Sequence, residues 1–193
     1  MLFKFALRTI TRVALAMGGM QSLASASPLC GPVPPRLNPG SWDTHVHIFD
    51  STIGPFAPDR DYTPAEAHLS DLLKFSRTLT RDKSSTNLVL VQPSPYGTDN
   101  TVLLEALRQL QGQSQLTARG IAVVDLENTN DEQLRDLHDI GVRGLRLNKG
   151  ASEDKFSARE FAKNITEAAN RIRDLPGWKL QLFISGDIWD GKA

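Results

Sequence analysis

From Ser41 onward, the chain alternates between short apolar runs and segments with a helical period. Five runs stand out, at residues 42–49, 87–92, 120–125, 141–148 and 178–184. The run at residues 87–92 is apolar at consecutive positions, which suits a strand that is buried on both faces. The alternation therefore predicts five strands in a parallel sheet with helices between them.

Each gap between these runs carries apolar residues at helical spacing. We expect the first helix to open at Pro64, where the missing N–H costs nothing, and Gly112 and Gly141 to end the second and third. Ser157 and Glu160 form a capping box that predicts the start of the fourth helix. The buried stripes expected on the four helices are Leu69, Leu72, Leu73 and Leu79; Leu103, Leu104, Leu107 and Leu110; Leu134, Leu137 and Ile140; and Phe161, Ile165, Ala169 and Ile172.

The number of strand–helix units sets the fold class. Four units and a fifth strand occupy about 150 residues, whereas a full eightfold barrel takes roughly 250. The pattern therefore predicts an α/β fold that is part of a (β/α)8 TIM-like barrel. An open, doubly wound sheet of five strands is the alternative, although no glycine-rich phosphate loop follows the first strand.

The first 40 residues differ in composition from the rest. Lys4, Arg8 and Arg12 give a basic start, an apolar stretch follows, and Ala24-Ser25-Ala26 has the small residues of a signal-peptidase site. This predicts a leader at residues 1–26, a proline-rich linker at 27–40, a barrel domain at 41–193, and a secreted or exported protein whose mature chain begins near residue 27. A mitochondrial presequence is the alternative, because the three basic residues recur every four positions.

Composition excludes several classes of function. The chain of 193 residues has 22 basic and 22 acidic side chains and a single cysteine, Cys30. This charge balance gives no argument for binding nucleic acid or an anionic membrane surface. No apolar run is long enough to span a bilayer. One cysteine forms no intrachain disulfide and no cysteine-rich metal site.

His45 and His47 are the clearest candidates for chemistry. Residues two apart in a strand point to the same face, so both imidazoles project together. At the carboxyl end of a barrel strand, they would lie where barrel enzymes carry out their reactions. A neutral imidazole suits a divalent metal or a hydrogen bond to a substrate oxygen. The alternative is that His45 and His47 have no role in chemistry and that neighbouring groups satisfy their hydrogen bonds. We expect His68 and His138, on helices, to face solvent.

Three motifs carry a resemblance to a known family. They are Trp-Asp-Thr-His-Val-His-Ile-Phe-Asp at residues 42–50 with its continuation at 55–64, Gln-Pro-Ser-Pro-Tyr-Gly-Thr-Asp-Asn at 92–100, and Gly-Val-Arg-Gly-Leu-Arg-Leu-Asn at 141–148. In this order they resemble the 2-pyrone-4,6-dicarboxylate lactonase branch of the amidohydrolase superfamily. The resemblance implies a hydrolase that opens a small carboxylated lactone with water.

The resemblance also implies roles for individual residues. His45 and His47 would be the catalytic pair that polarises the lactone carbonyl without a metal; if a metal is bound, they would be ligands of zinc. Tyr62 and Ser94 would donate hydrogen bonds to the substrate, and Arg146 would hold a carboxylate. Arg143 is an odd number of residues from Arg146, so we expect it to point to the opposite face and to pair with a helix carboxylate.

Two departures from the family pattern lead to further expectations. The family has a second basic pair after the fourth strand, where this chain has Lys149 followed by Gly150. It also takes a histidine from a sixth strand and a general-base aspartate from an eighth, which this sequence lacks. We therefore expect a fragment without appreciable lactonase activity of its own, which could self-associate through the open edge of its sheet. The alternatives are a metal-dependent decarboxylase or hydrolase of the same superfamily, and a truncated, non-catalytic chain.

Overall fold

The computed structural model describes residues 36–148 and 158–184. Within them, five strands and four α-helices alternate along the chain. They are β1 Trp42–Val46, α1 Leu69–Leu79, β2 Asn87–Val91, α2 Thr101–Leu110, β3 Ala118–Ala122, α3 Asp131–Ile140, β4 Val142–Asn148, α4 Ala158–Ile172 and β5 Lys179–Phe183. None of the helices in these ranges is long and apolar enough to cross a membrane.

The strand order identifies the architecture. The sheet runs β1-β2-β3-β4-β5, and every neighbouring pair is parallel. In a doubly wound sheet the chain starts inside the sheet and reverses direction across it, so the first strand lies away from the edge. A sequential parallel order is that of a (β/α)8 barrel. The partial barrel predicted from the sequence is confirmed, and the doubly wound alternative is wrong.

The sheet is strongly curled. In a flat sheet, four spacings of about 4.8 Å would separate the two outer strands by roughly 19 Å. Here the side chains of His45 on β1 and Gln181 on β5 approach to 3.2 Å between Nδ1 and Nε2. The inner face of the arc is therefore a concave surface onto which side chains of all five strands can converge.

The hydrophobic core lies between the outer face of this arc and the helices. Leu88, Leu90, Val142 and Leu145 of the strands pack there with the apolar face of α2, and all four are at most 1% exposed. Leu107 of α2 lies so close to β3 that a Cβ added to Gly120 would be 2.7 Å from its Cδ1. This close approach explains why position 120 holds a residue without a side chain.

The first helix begins later than predicted. Pro64 lies in the loop before it, and α1 starts at Leu69. The reason is an isolated antiparallel bridge in which Ala67 exchanges both main-chain hydrogen bonds with Phe49, at 2.9 and 3.0 Å. The bridge holds Ala67 extended, and His68 follows with ψ of 157°, so no helical turn forms before Leu69. Of the predicted stripe, Leu69, Leu72 and Leu73 pack against the core.

The third strand ends earlier than predicted, at Ala122 rather than Asp125. The carboxamide of Asn100, before α2, binds both the N–H and the carbonyl of Val123, at 3.1 and 2.7 Å. A side chain thus replaces a neighbouring strand at this position.

One position of the stripe predicted for α4 is wrong. Ala169 is exposed, and the neighbouring Ala168 is buried instead.

The ends of α2 and α3 agree with the glycine signals. Gly112 follows α2 with φ of 82°, and Gly141 caps α3 with φ of 115°, a left-handed conformation that favours glycine. Asn130 and Gln133 form a capping box at the start of α3, which the sequence analysis missed. Several predictions concern residues outside the described ranges. They are Ser157 of the capping box predicted for α4, the leader at residues 1–26, most of the linker, and the segment at residues 149–157.

Candidate active site

Most of the residues singled out from the sequence lie at one rim of the sheet. His45 is the fourth residue of β1, and His47 follows its end. Arg146 lies near the end of β4, and Ser94 opens a short 3-10 helix, Ser94–Tyr96, after β2. Because all the strands are parallel, their carboxyl ends meet at the same rim, where barrel enzymes place their active sites.

The two histidines face each other, as strand alternation predicts. Their rings are T-shaped with centroids 4.9 Å apart, and the two Nε2 atoms are 3.3 Å apart. Nδ1 of His47 is 2.8 Å from the carbonyl oxygen of Val91. A carbonyl only accepts, so His47 carries a proton on Nδ1 and, when neutral, presents a lone pair at Nε2.

The surroundings of the pair favour neutral imidazoles. Burial lowers the pKa of His45, with a further lowering by the positive charge of Arg146 and an opposing effect of Asp43. Burial also lowers the pKa of His47, against the hydrogen bond to Val91; the nearby His45 and Arg146 lower it further. Arg146 is therefore close enough to both rings to act on them electrostatically, and the three side chains share one site.

Arg146 is a buried cation. Only 6% of the residue is exposed, Nη1 donates to the carbonyl of Gln92 at 3.3 Å, and the guanidinium lies 5.2 Å from the ring centre of Phe183. Among the described residues, no carboxylate forms an ion pair with it. Burial lowers the pKa of Arg146, as expected for a charge removed from water. The site thus holds a positive charge that an anionic ligand would neutralise.

Four buried polar atoms in the described part of the chain have no hydrogen-bond partner. They are the Nε donor of Arg146 and the acceptors Gln92 Oε1, Asn148 Oδ1 and Gln181 Oε1. Leaving such a group unsatisfied costs about 1–3 kcal/mol. The four residues lie in the carboxyl half of β4, in the middle of β5 or directly after β2, so the unused donors and acceptors gather where a ligand would bind.

The other two predicted substrate contacts are less closely connected to the pair. Tyr62 lies in the loop before α1 and is 49% exposed, and its phenol, once ionised, is near enough to Arg146 to raise the pKa of the guanidinium. Ser94 is half-buried at the rim, and its carbonyl accepts the N–H of Gly97 at 2.9 Å. No hydrogen bond between described side chains joins Ser94 or Tyr62 to the histidines, so their roles stay predictions.

Arg143 points away from the site, as predicted. It donates to the carbonyls of His138 and Val142, at 2.6 and 2.7 Å, on the helix side of the sheet. Among the described residues no carboxylate forms an ion pair with Arg143, although burial lowers its pKa and Asp139 of α3 is close enough to oppose that lowering. The guanidinium binds one carbonyl at the end of α3 and one on β4 instead. Arg143 and Arg146 thus lie on one strand, one with a structural contact and one in the site.

The histidine pair has the spacing of two zinc ligands. Two nitrogens at about 2.0–2.1 Å from one tetrahedral zinc are about 3.3 Å apart, which is the separation of the two Nε2 atoms. Catalytic zinc takes three protein ligands, and within the described residues the one group of three candidates is Asp50, Glu66 and His68. That group does not include the pair, so the pair offers two ligands of the three.

The two remaining histidines, His68 and His138, were expected to face solvent, and in the structure both are half-buried and hydrogen-bonded. His68 Nδ1 is 2.9 Å from Asp50 Oδ2, and this hydrogen bond raises the pKa of His68. His138 Nδ1 accepts the indole N–H of Trp178 at 2.9 Å. Both contacts join residues 18 or more apart in the chain, which local sequence patterns do not reveal.

Gln181 and Phe183 are site residues that the sequence analysis missed. Both lie on β5, directly beside β4, and Gln181 is the register partner of Arg146. The sequence offered one signal, which is that Gln181 is a polar residue between two apolar neighbours in a strand. Tyr96 supports the rim from beneath, with its ring stacked on Phe56 at 4.8 Å and its hydroxyl accepting the N–H of Asp50.

Comparison with known proteins gives consistent similarities. Residues 42–185 match the family model described as amidohydrolase. The chain is 32% identical over 166 residues to a 2-pyrone-4,6-dicarboxylate hydrolase of Comamonas testosteroni, covering 80% of this chain and 48% of that protein. It is 35% identical over 117 residues to a 4-sulfomuconolactone hydrolase of Rhizobium radiobacter, covering 60% and 36%.

A solved structure supports the fold. A probable 2-pyrone-4,6-dicarboxylic acid hydrolase of Acinetobacter baumannii, with citric acid bound, superposes with a TM-score of 0.54 at 28% identity. The match covers 74% of this chain and 49% of the other. The chain thus spans at most about half the length of these relatives.

Proposed function

The chain belongs to the amidohydrolase family, and from this we propose that its site binds a carboxylated lactone and takes part in opening the ring with water. The observation that carries the proposal is the buried Arg146, without a carboxylate partner among the described residues, beside two histidines whose pKa is lowered. A carboxylated lactone brings an anion for the guanidinium and a carbonyl oxygen for an imidazole N–H. The names of the relatives, both lactone hydrolases, support this substrate class.

The chemistry assigns each group a task. Water adds to the carbonyl carbon, the carbonyl oxygen takes up negative charge, and the bond between that carbon and the ring oxygen then breaks. One proton of the water goes to the ring oxygen and the other is released to solvent, so the products are a carboxylate and a hydroxyl group. A fixed N–H donor close to the carbonyl oxygen stabilises the charge that develops there, and the histidine pair is placed to supply it. Arg146 would fix the orientation of the ring through a two-pronged contact with a carboxylate.

Activation of the water is not assigned to a described residue. No carboxylate among residues 36–148 and 158–184 hydrogen-bonds the side chains of His45, His47 or Arg146. Lack of a positioned general base usually lowers the rate by about 10²–10⁴. If activation depends on the described residues alone, we expect the chain to bind the lactone but to turn it over slower by that factor than a hydrolase with a base in position.

A metal-dependent hydrolase of the same family is the second candidate, because the Nε2 separation of 3.3 Å fits two ligands of zinc. When bound, zinc would polarise a carbonyl or supply hydroxide near neutral pH. His45 and His47 would hold it. Zinc binding that is lost in both His45→Ala and His47→Ala would favour this candidate.

A pair of ligands tests the main proposal. Benzene-1,3-dicarboxylate has the two carboxylates of 2-pyrone-4,6-dicarboxylate but no lactone carbonyl. We expect the chain to bind both by calorimetry, and His45→Ala to weaken only the pyrone, by about 2- to 10-fold, the value of one hydrogen bond. Equal losses for both ligands, or no binding of either, would contradict the assignment of the histidines to the carbonyl.

A further inference from the structure

Gln181 is a residue of the site to which the proposed function gives no task. It lies in the middle of β5, and its Nε2 is 3.2 Å from Nδ1 of His45, across the concave face from β1. Its carboxamide oxygen is buried and has no partner among the described residues. The contact joins residues 136 positions apart, so it depends on the curl of the sheet.

The positions of the protons on the two histidine rings follow from the hydrogen-bond partner of His47. The carbonyl of Val91 requires a proton on Nδ1 of His47, which leaves a lone pair at its Nε2. The contact of 3.3 Å between the two Nε2 atoms then requires a proton on Nε2 of His45. In a neutral ring, Nδ1 of His45 is consequently an acceptor, and the amide nitrogen of Gln181 faces that atom.

We propose that Gln181 is a positioning residue that holds His45 in the tautomer with its proton on Nε2, which is the one N–H of the pair that a ligand oxygen could take over from Nε2 of His47. The inference rests on the proposed function only for the identity of the oxygen that receives this donor. At about pH 8, above the usual histidine pKa of about 6.5, each ring has one proton to place.

The opposite tautomer would disable the pair. With its proton on Nδ1, His45 would direct a lone pair at the lone pair of His47, 3.3 Å away. A carbonyl oxygen that gains negative charge would then meet two acceptors and no donor. A glutamate at position 181 would favour this arrangement, since a carboxylate only accepts and would draw the proton to Nδ1. An apolar residue there would leave Nδ1 without a partner.

Nitrogen NMR of the chain with ¹⁵N-labelled histidine reads the tautomer directly, without substrate. The chain has four histidines, and two of them serve as internal references. His47 Nδ1 is a protonated nitrogen bound to a carbonyl, and His138 Nδ1 is an unprotonated nitrogen that accepts the indole N–H of Trp178. Spectra are recorded at about pH 8, above the usual histidine pKa of about 6.5.

In the unmodified chain we expect His45 Nδ1 to resemble His138 Nδ1. In Gln181→Glu, the ratio of His45 protonated on Nδ1 to His45 protonated on Nε2 should rise by about 10- to 150-fold, the value of a charge-assisted hydrogen bond. In Gln181→Met, Nδ1 should stay unprotonated and its resonance should move away from that of His138, because it accepts no hydrogen bond. Unchanged signals of His47 Nδ1 and of His138 show that each variant is folded.

Two results would overturn the inference: a protonated His45 Nδ1 in the unmodified chain, or a His45 spectrum that neither substitution changes. The readout is independent of the proposed function. If the expected spectra occur but the pyrone does not bind, the lactone proposal fails and the role of Gln181 stands. If the pyrone binds through His45 but the spectra do not respond to Gln181, the reverse holds.

Discussion

Replacement of Arg146 with methionine is expected to stabilise the fold and weaken the site. The substitution removes a hydrogen bond of 3.3 Å to Gln92, worth about 0.5–1.5 kcal/mol, and the contact of the guanidinium with Phe183, worth about 0.5–2 kcal/mol. Against this, an unpaired charge that is 94% buried, since 6% of the residue is exposed, costs several kcal/mol. We expect the free energy of unfolding to rise by about 1–3 kcal/mol.

The same substitution should reduce the affinity for a dicarboxylate. A two-pronged, charge-assisted contact is worth about 1.5–3 kcal/mol, which corresponds to about 10- to 150-fold in the dissociation constant. Urea unfolding measures the first effect, and calorimetric titration with benzene-1,3-dicarboxylate measures the second. Both use the same purified chain.

Arg143→Met is the matched control, on the same strand but on its helix side. It removes the donors to the carbonyls of His138 and Val142, so it should lower the free energy of unfolding by about 1–3 kcal/mol and leave dicarboxylate binding unchanged. The reasoning would be refuted if Arg146→Met lowered the free energy of unfolding by about 3–5 kcal/mol, the effect of breaking a buried ion pair, or left binding unchanged.

Three further substitutions test other contacts. The hydrogen bond to Asp50 raises the pKa of His68 above 6.5, so the stabilisation by this pair is full below pH 6.5 and is lost as the pH rises through the pKa of the folded chain. The difference in unfolding free energy between the unmodified chain and His68→Gln should shrink over that range. A constant difference would count against the pair. Gly144→Ala would place a Cβ 2.3 Å from the carbonyl oxygen of Lys179, and we expect β4 to separate from β5. The amide hydrogens of these two strands should then exchange faster, and unchanged exchange would contradict this. Leu107→Ala removes a side chain that is 2% exposed and should cost about 2–5 kcal/mol in urea unfolding, so a loss below about 1 kcal/mol would show that the core collapses around it.

The sequence predicted the strands and helices best where one local pattern governs them. Gly141 marks the end of α3 because a left-handed cap needs a residue without a Cβ. The start of α1 and the end of β3 were wrong because distant groups decide them. Phe49 binds the main chain of Ala67, and Asn100 binds that of Val123.

The candidate site shows the same division. Strand alternation was sufficient to place His45 and His47 together and to turn Arg143 away from Arg146. Gln181 was missed because its importance comes from the curl of the sheet, which brings β5 opposite β1. The spacing of residues in the sequence does not reveal a contact between two strands so far apart in the chain. The partners of His68 and His138 were missed for the same reason.

A crystal structure of the chain with 2-pyrone-4,6-dicarboxylate bound is the most direct test of the central claim. The account expects one carboxylate on the guanidinium of Arg146, and the lactone carbonyl oxygen within about 3.2 Å of an imidazole nitrogen of the pair. A ligand that binds elsewhere, such as the groove along α4 lined by Lys163 and Asn170, with the concave face empty, would contradict it.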